Sequence, residues 1–127
     1  MENLVKDFLN QKKFAVVGSF KNESKYAYKI LKALLNKGYD ACPVHPTLAD
    51  VEGRKCFRSV SDMPFKADVV NLVTPPLVSE KIVKECRENN IKRVWFQPGA
   101  ENEDAIRFCC DNNILCIHGL CVMLESK

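Results

Sequence analysis

The sequence is short of glycine in the places where nucleotide-binding proteins use it. It has five glycines in 127 residues, and only Gly18 lies in the turn after the first apolar run. The dinucleotide fingerprint has three glycines in such a turn, and the chain also has no GxxxxGK[ST] phosphate loop. Both familiar motifs are therefore excluded.

Further absences bear on location and on metal chemistry. No apolar run approaches the length of a membrane span, and the first residues, MENLVKDFLNQKK, carry acids inside their apolar pattern, unlike a signal peptide. The seven cysteines form no CxxC pair, so we expect no metal site and mostly buried, reduced thiols. We therefore expect a cytoplasmic protein without a membrane partner.

The charge pattern argues against nucleic acid as a partner. The formal net charge is +3, and lysines alternate with acidic residues instead of forming a basic block. A small polyanionic ligand, in contrast, is compatible with this mild positive excess.

Short apolar runs bounded by turn residues predict five buried strands, and helical patterns separate them. The strands are predicted at 14–18, 39–44, 68–73, 93–97 and 114–118, with a weaker sixth at 55–58, and the helices at 1–11, 25–37, 77–89 and 102–112. Ser24 is the candidate N-cap of the second helix, and Gly38 ends it. The alternation predicts one domain, 1–127: a doubly wound α/β fold with a mainly parallel sheet of five to six strands and helices on both faces.

Strand order then predicts where a ligand lies. Right-handed crossovers place the strands at 39–44 and 68–73 on either side of the first strand, with 55–58 at one edge. A crevice is expected outside the carboxyl ends of these strands, at the reversal of strand order. Its lips are predicted to be Gly18, Ser19, Phe20 and Lys21 on one side and Thr74, Pro75 and Pro76 on the other.

The turn after Gly18 has two interpretations. Gly18 permits close approach of an anion, the next helix offers free N–H groups, and Lys21 and Lys25 add positive charge. Alternatively, the glycine only forms a turn and the lysines are solvated. NAD is not favoured, because the second strand ends in PVHP, where NAD binding uses a carboxylate.

Four blocks of sequence together resemble a known family. They are VVGSFKNESKYAYKILKALLNKGYDACPVHP, VVNLVTPP, IKRVWFQPGAENEDAI and IHGLCVML. In this order they are similar to the small stand-alone CoA-binding proteins, whose domain resembles the N-terminal part of the succinyl-CoA synthetase α subunit.

The resemblance implies a Rossmann-like fold that binds coenzyme A or an acyl-CoA, with a homodimer or a partner enzyme as possible assemblies. The cofactor-binding residues that it implies are Gly18, Ser19, Phe20, Lys21 and Tyr26 in the first turn, His45 and Pro46 after the second strand, and Thr74, Pro75 and Pro76 opposite.

Some positions depart from the family pattern and keep two interpretations. Bulky Phe20 either stacks on the adenine or covers the sheet end, and Ala27 stands where the family usually has glycine. His45 either contacts a ribose or phosphate or is an exposed turn residue. Gln97 is a further residue that the pattern places at this edge of the sheet.

Catalysis is the alternative to simple binding. His118 and Cys121, three residues apart across a glycine, would suit an enzyme with an activated thiolate that uses a nicotinamide or CoA cofactor. The plainer interpretation of His118 is a buried histidine at a strand end. We therefore expect a non-catalytic binding, carrier or regulatory module, with the enzyme as the alternative.

Overall fold

Strands and helices alternate along the chain in the computed structural model, which describes residues 2–22 and 24–126. The strands are β1 (Lys13–Gly18), β2 (Asp40–Val44), β3 (Asp50–Val51), β4 (Arg54–Lys55), β5 (Val69–Val73), β6 (Arg93–Phe96) and β7 (Leu115–Ile117). The helices are α1 (Glu2–Leu9), α2 (Tyr26–Asn36), α3 (Pro76–Glu88), α4 (Glu103–Asp111) and α5 (Val122–Glu125), with a 3₁₀ turn at Val60–Asp62.

The main sheet has five parallel strands in the order β2-β1-β5-β6-β7. This order confirms the predicted neighbours of the first strand. The segment 55–58 also lies at the predicted edge, but it joins β2 only through a bridge between Val44 and Phe57. The preceding hairpin of β3 and β4 was not predicted. It turns through Glu52 and Gly53 at φ 52° and 74°, the positive values that a two-residue hairpin turn uses.

Helices cover both faces of this sheet, as the continuous apolar strands predicted. On β1, Ala15 and Val17 face the core under α3 and α4, while Phe14 and Val16 face the core under α1, α2 and α5. We call these the α3/α4 face and the α2 face. The fold is therefore the predicted Rossmann-like, doubly wound α/β arrangement.

Helix ends differ from the prediction at one position. Ser24 is not the N-cap of α2; its backbone N–H and its hydroxyl both donate to the side chain of Asn22, while Lys25 is the N-cap and makes no capping side-chain bond. Gly38 follows the helix at φ 91°, as predicted. Asn102 caps α4 by accepting the N–H of Ala105 at 2.8 Å.

Helix α1 is attached to the rest of the domain by two polar contacts at its C-terminal end. Asp7 and Arg93 on β6 form an ion pair with an O–N distance of 2.8 Å, and this guanidinium lowers the pKa of the Asp7 carboxyl. Two residues further along, the Tyr39 hydroxyl donates to the carbonyl of Leu9 at 2.7 Å. Among the described residues, no helix has the length and apolar character needed to cross a lipid bilayer.

Gly18 is the point where α2 comes closest to the strands. A Cβ atom at this position would lie 2.8 Å from the Cβ of Ala27 on α2 and 2.8 Å from the carbonyl oxygen of Val73 on β5. Both distances are shorter than any normal contact, and one partner is backbone. Glycine is therefore required here for helix–strand packing, in addition to any role with a ligand.

Asn71 is a polar residue in the middle of the sheet. It pairs in register with Val16 on one side and Trp95 on the other, and its side chain is fully buried on the α2 face. Neither polar atom of its amide has a hydrogen-bond partner among the residues that the structure describes. A buried amide without a partner costs free energy.

Gly18→Ala should lower the free energy of unfolding by about 1–3 kcal/mol, because the added methyl group forces α2 away from β5. Urea denaturation would measure this loss. Ser19→Ala is the matched control, since the neighbouring side chain is exposed and its removal should leave stability unchanged. Equal stability of Gly18→Ala and the wild type would contradict the packing requirement.

Asn71→Val should raise the free energy of unfolding by about 1 kcal/mol, because a branched apolar side chain suits a buried strand and needs no partner. The midpoint of urea unfolding would report the gain. Asn71→Ala separates loss of the amide from loss of volume and should be less stable than Asn71→Val. A lower midpoint for the valine variant than for the wild type would show that the amide is satisfied in solution.

Candidate functional site

A cleft of about 430 Å³ opens at the carboxyl ends of β1, β2 and β5. The order in which strands are added to the sheet reverses here, because β2 lies on one side of β1 and β5 lies on the other. The cleft is lined by Val17, Gly18, Ser19, Val44, His45, Pro46, Arg58, Ser59, Val60, Val73, Thr74, Pro75, Val78, Lys81, Ile82 and Glu85.

The turn after β1 contributes fewer residues than predicted. Gly18 and Ser19 line the cleft, whereas Phe20 is 5% exposed and packs into the core of the α2 face. This position of the ring favours the interpretation that Phe20 covers the sheet end. Lys21 and Tyr26 are exposed, and neither is among the described residues that line the cleft. The ring of Tyr26 lies beside the ammonium of Lys29.

The N-terminus of α2 lies in the same region as this turn. Its N-cap, Lys25, provides no side-chain acceptor for the first N–H groups of the helix. Unsatisfied N–H groups and the helix dipole both favour an anion at such a terminus. The approach of α2 at Gly18 therefore brings positive potential to this edge of the sheet.

The loop after β2 places His45 and Pro46 in the cleft wall, as predicted. The backbone N–H of His45 donates to Phe57 at 2.9 Å, and its Nδ1 accepts the N–H of Thr47 at 3.2 Å. Because Nδ1 is an acceptor, the neutral ring carries its proton on Nε2. His45 thus offers one N–H donor from a half-buried position.

The opposite lip is formed by Thr74 and Pro75, while Pro76 is the first residue of α3 and lies outside the lining that the described residues form. Thr74 Oγ1 lies 2.7 Å from Ser79 Oγ, and the Ser79 hydroxyl also reaches the carbonyl of Pro75 at 3.3 Å. If Ser79 donates to Pro75, Thr74 must donate to Ser79. This chain of bonds holds the lip against the first turn of α3.

A third wall was missed by sequence reasoning. It consists of one side of α3, with Val78, Lys81, Ile82 and Glu85, and the segment around the 3₁₀ turn. The spacing of these α3 residues places them on one helix face. Lys81 could therefore have been predicted to lie on the same face as the apolar residues Val78 and Ile82. Arg58 carried a weaker signal, as the last residue of the predicted edge strand.

Hydrogen bonds connect this third wall to the rest of the cleft. The Glu85 carboxylate accepts the N–H of Val60 at 3.0 Å, and the Asn89 amide donates to the Ser61 hydroxyl at 2.9 Å. Within the described part of the chain, Arg58 and Lys81 make no ion pair. The cleft therefore combines apolar walls with two cations that form no ion pair among the described residues, and the Glu85 carboxylate lines it as well.

His118 and Cys121, the candidate catalytic pair, have different surroundings. His118 is exposed, so the interpretation of a buried strand-end histidine is wrong, and no hydrogen bond joins it to Cys121 among the described residues. Cys121 instead receives the Gln97 amide N–H, with an N–S distance of 3.3 Å, while Gln97 Oε1 accepts the N–H of Val122 at 2.9 Å. Gln97 is 3% exposed and serves to hold α5 on the sheet.

No metal centre accompanies the cleft in residues 2–22 and 24–126, where no three His, Cys, Asp or Glu side chains converge as ligands. What the arrangement offers is shape and charge: a mostly apolar cleft, a helix N-terminus and unpaired cations. These features are compatible with a ligand that carries negative charge.

Several known proteins are similar to this chain in sequence or in fold. An acetate–CoA ligase (ADP-forming) of Methanocaldococcus jannaschii is 32% identical over 81 residues, which are 64% of this chain and 12% of that protein. The chain thus spans about an eighth of that ligase. The uncharacterized protein YneT of Bacillus subtilis is 27% identical over 119 residues, 93% of this chain and 88% of its own length.

A solved structure agrees with these sequence relatives. A conserved hypothetical protein of Pyrococcus furiosus superposes with a TM-score of 0.86 at 44% identity, covering 90% of this chain and 98% of its own. The sequence model of the CoA binding domain matches residues 12–127. The chain therefore belongs to the CoA-binding domain family, which also supplies part of the acetate–CoA ligases.

Proposed function

We propose that the cleft binds coenzyme A or an acyl-CoA, and that the protein acts as a non-catalytic binding, carrier or regulatory module. The observation that carries this proposal is the cleft at the strand reversal, where Gly18 and Ser19 face Thr74 and Pro75 in a chain of the CoA-binding domain family. The volume of about 430 Å³ is within the range of small-molecule sites.

The charges of the cleft suit CoA. CoA carries a diphosphate and a separate phosphate on its ribose, so it is more anionic than NAD. Arg58 and Lys81 in the wall are complementary to such charge, and so is the N-terminus of α2, where Lys25 provides no side-chain cap. The loop that would carry the NAD-binding carboxylate has His45 and Pro46 instead.

The apolar walls suit the rest of the molecule. Val44, Val60, Val73 and Ile82 offer surface to the adenine ring or to the weakly polar pantetheine arm. The Glu85 carboxylate is engaged with Val60 N–H and acts as a structural support in this proposal.

Binding without turnover is favoured because no acid, base and nucleophile are positioned together at the cleft in the described residues. The groups that the enzymatic alternative requires, His118 and Cys121, are not hydrogen-bonded to each other in that part of the chain.

Since relatives of this domain are parts of acetate–CoA ligases, a partner enzyme is a natural recipient of the bound CoA, and a homodimer is the other assembly we propose. A cytoplasmic location and a single domain over 1–127 stay predictions.

CoA should raise the melting temperature at concentrations where NAD does not. Saturation near 100 times the dissociation constant adds about 2.7 kcal/mol to stability, which corresponds to a rise of roughly 5–15 °C for a domain of this size. Differential scanning fluorimetry with both ligands would measure the shifts, and added salt should reduce that of CoA. An equal or larger shift with NAD would refute the proposal.

Arg58→Gln and Lys81→Gln should each weaken CoA binding by roughly three- to tenfold, because each removes a charge-assisted contact to a phosphate. Isothermal titration calorimetry would give the dissociation constants. Lys84→Gln is the matched control, since Lys84 is an exposed lysine of the same helix that does not line the cleft.

Each of the three variants loses one positive charge, so all three have the same net charge and a general field effect cancels in the comparison. All three should melt at the temperature of the wild type without ligand, because none of these cations is ion-paired in the described structure. An equal loss of affinity in Lys84→Gln would place the CoA phosphates elsewhere.

A further inference from the structure

Positive charge borders the cleft in two different places. Near the turn after β1, where Gly18 and Ser19 line the cleft, the donors are backbone N–H groups at the start of α2, whose N-cap Lys25 provides no side-chain acceptor. On the third wall, the donors are the guanidinium of Arg58 and the ammonium of Lys81. An anionic ligand that fills the cleft can therefore place two separate groups of negative charge against it.

Backbone contacts fix the place of Arg58 in this wall. On one side of it, the carbonyl of Phe57 accepts the N–H of His45, the first residue after β2, at 2.9 Å. On the other side, the N–H of Val60 donates to the Glu85 carboxylate at 3.0 Å. Arg58 thus lies between an anchor at the end of β2 and an anchor on α3.

Lys81 is brought to the same wall by its helix. It lies one turn before Glu85 on α3, so the two side chains share a helix face, and both line the cleft together with Arg58. Neither cation has an ion-pair partner in the part of the chain that the structure describes, and the Glu85 carboxylate accepts the N–H of Val60. Both positive charges are therefore available to a ligand.

The loop after β2 indicates which part of the ligand these cations meet. In dinucleotide-binding folds a carboxylate at this place binds the free hydroxyls of the ribose, whereas an arginine nearby binds a phosphate on the ribose. Here the loop residues that line the cleft are His45 and Pro46, and the bond between Phe57 and His45 holds Arg58 beside them. This arrangement is the one expected for a phosphorylated ribose.

The number of cations also matches a phosphate on the ribose. A phosphate monoester carries a charge of about −1.5 to −2 at pH 7, whereas each phosphate of the CoA diphosphate carries a single charge because it has one ionisable oxygen. Two neighbouring cations suit the more highly charged group. The diphosphate, in turn, suits the backbone N–H groups at the start of α2.

We propose that Arg58 and Lys81 bind the 3′-phosphate of the CoA ribose, and that the cleft selects adenine nucleotides that carry this phosphate. The inference rests on the proposed function and adds to it the part of the ligand that decides specificity. Dephospho-CoA differs from CoA only by the absence of this phosphate. It is then a poor ligand, although it has the same adenine, diphosphate and pantetheine arm.

Isothermal titration calorimetry with CoA and dephospho-CoA tests the assignment. The wild type should bind dephospho-CoA at least about tenfold more weakly than CoA, because charge-assisted contacts to both cations are lost. Arg58→Gln and Lys81→Gln should each bind CoA roughly three- to tenfold more weakly but bind dephospho-CoA with the affinity of the wild type. Lys84→Gln is the matched control on the same helix, since Lys84 is not among the described residues that line the cleft, and it should keep the wild-type preference for CoA.

Equal affinity of the wild type for CoA and dephospho-CoA would overturn this inference and leave CoA binding itself intact. The same conclusion would follow if Arg58→Gln and Lys81→Gln lost the same factor of affinity for both ligands. The wild-type comparison is decisive even if a variant folds poorly.

Two smaller nucleotides separate this inference from the proposed function. Adenosine 3′,5′-bisphosphate keeps the 3′-phosphate and lacks the pantetheine arm, whereas ADP keeps the diphosphate and lacks the 3′-phosphate. The wild type should bind the bisphosphate more tightly than ADP. Binding of the bisphosphate without binding of CoA would support the ribose-phosphate site and refute the CoA proposal, and binding of neither would overturn both.

Discussion

The close approach of α2 to β1 and β5 at Gly18 is the contact on which the site depends. Ala27 in the first turn of the helix occupies the space that any side chain at 18 would need. The helix is fixed in this position by Ile30, Leu31 and Leu34, which are fully buried on the sheet. The N-terminus of α2, where Lys25 provides no side-chain cap, consequently lies near the edge of the sheet at which β1 and β5 end. The electrostatic character of the cleft is thus a result of backbone packing as much as of charged side chains.

The strands and the two neighbours of β1 could be predicted because each strand is covered on both faces and therefore forms an unbroken apolar run. Once those runs are placed, right-handed crossovers leave few arrangements, and the positions of Gly18, His45 and Thr74 at one edge follow. The ends of α2 were less accessible to prediction. Ser24 has the chemistry of a cap, but the helix begins one residue later, with Lys25 as its N-cap, and composition does not reveal this difference of one position.

The third wall of the cleft could not be predicted because it depends on contacts between distant segments. Glu85 reaches the N–H of Val60, 25 positions earlier, and Asn89 reaches Ser61, and these contacts hold the 3₁₀ turn beside α3. The hairpin of β3 and β4 is equally hard to recognise, since each of its strands has two residues. The exposure of His118 is another tertiary property, because β7 ends at Ile117 and the chain leaves the sheet there.

The single tryptophan of the chain has a useful position. Trp95 is fully buried in the middle of the α2 face, where its ring meets the edge of Phe8 with centroids 6.0 Å apart and its indole N–H donates to the carbonyl of Leu120 at 2.9 Å. One fluorophore thus touches both α1 and the segment that leads into α5. Its fluorescence emission should report whether α1 and α5 are docked on the sheet. Because the Trp95 side chain faces away from the α3/α4 face, this signal measures folding separately from events in the cleft.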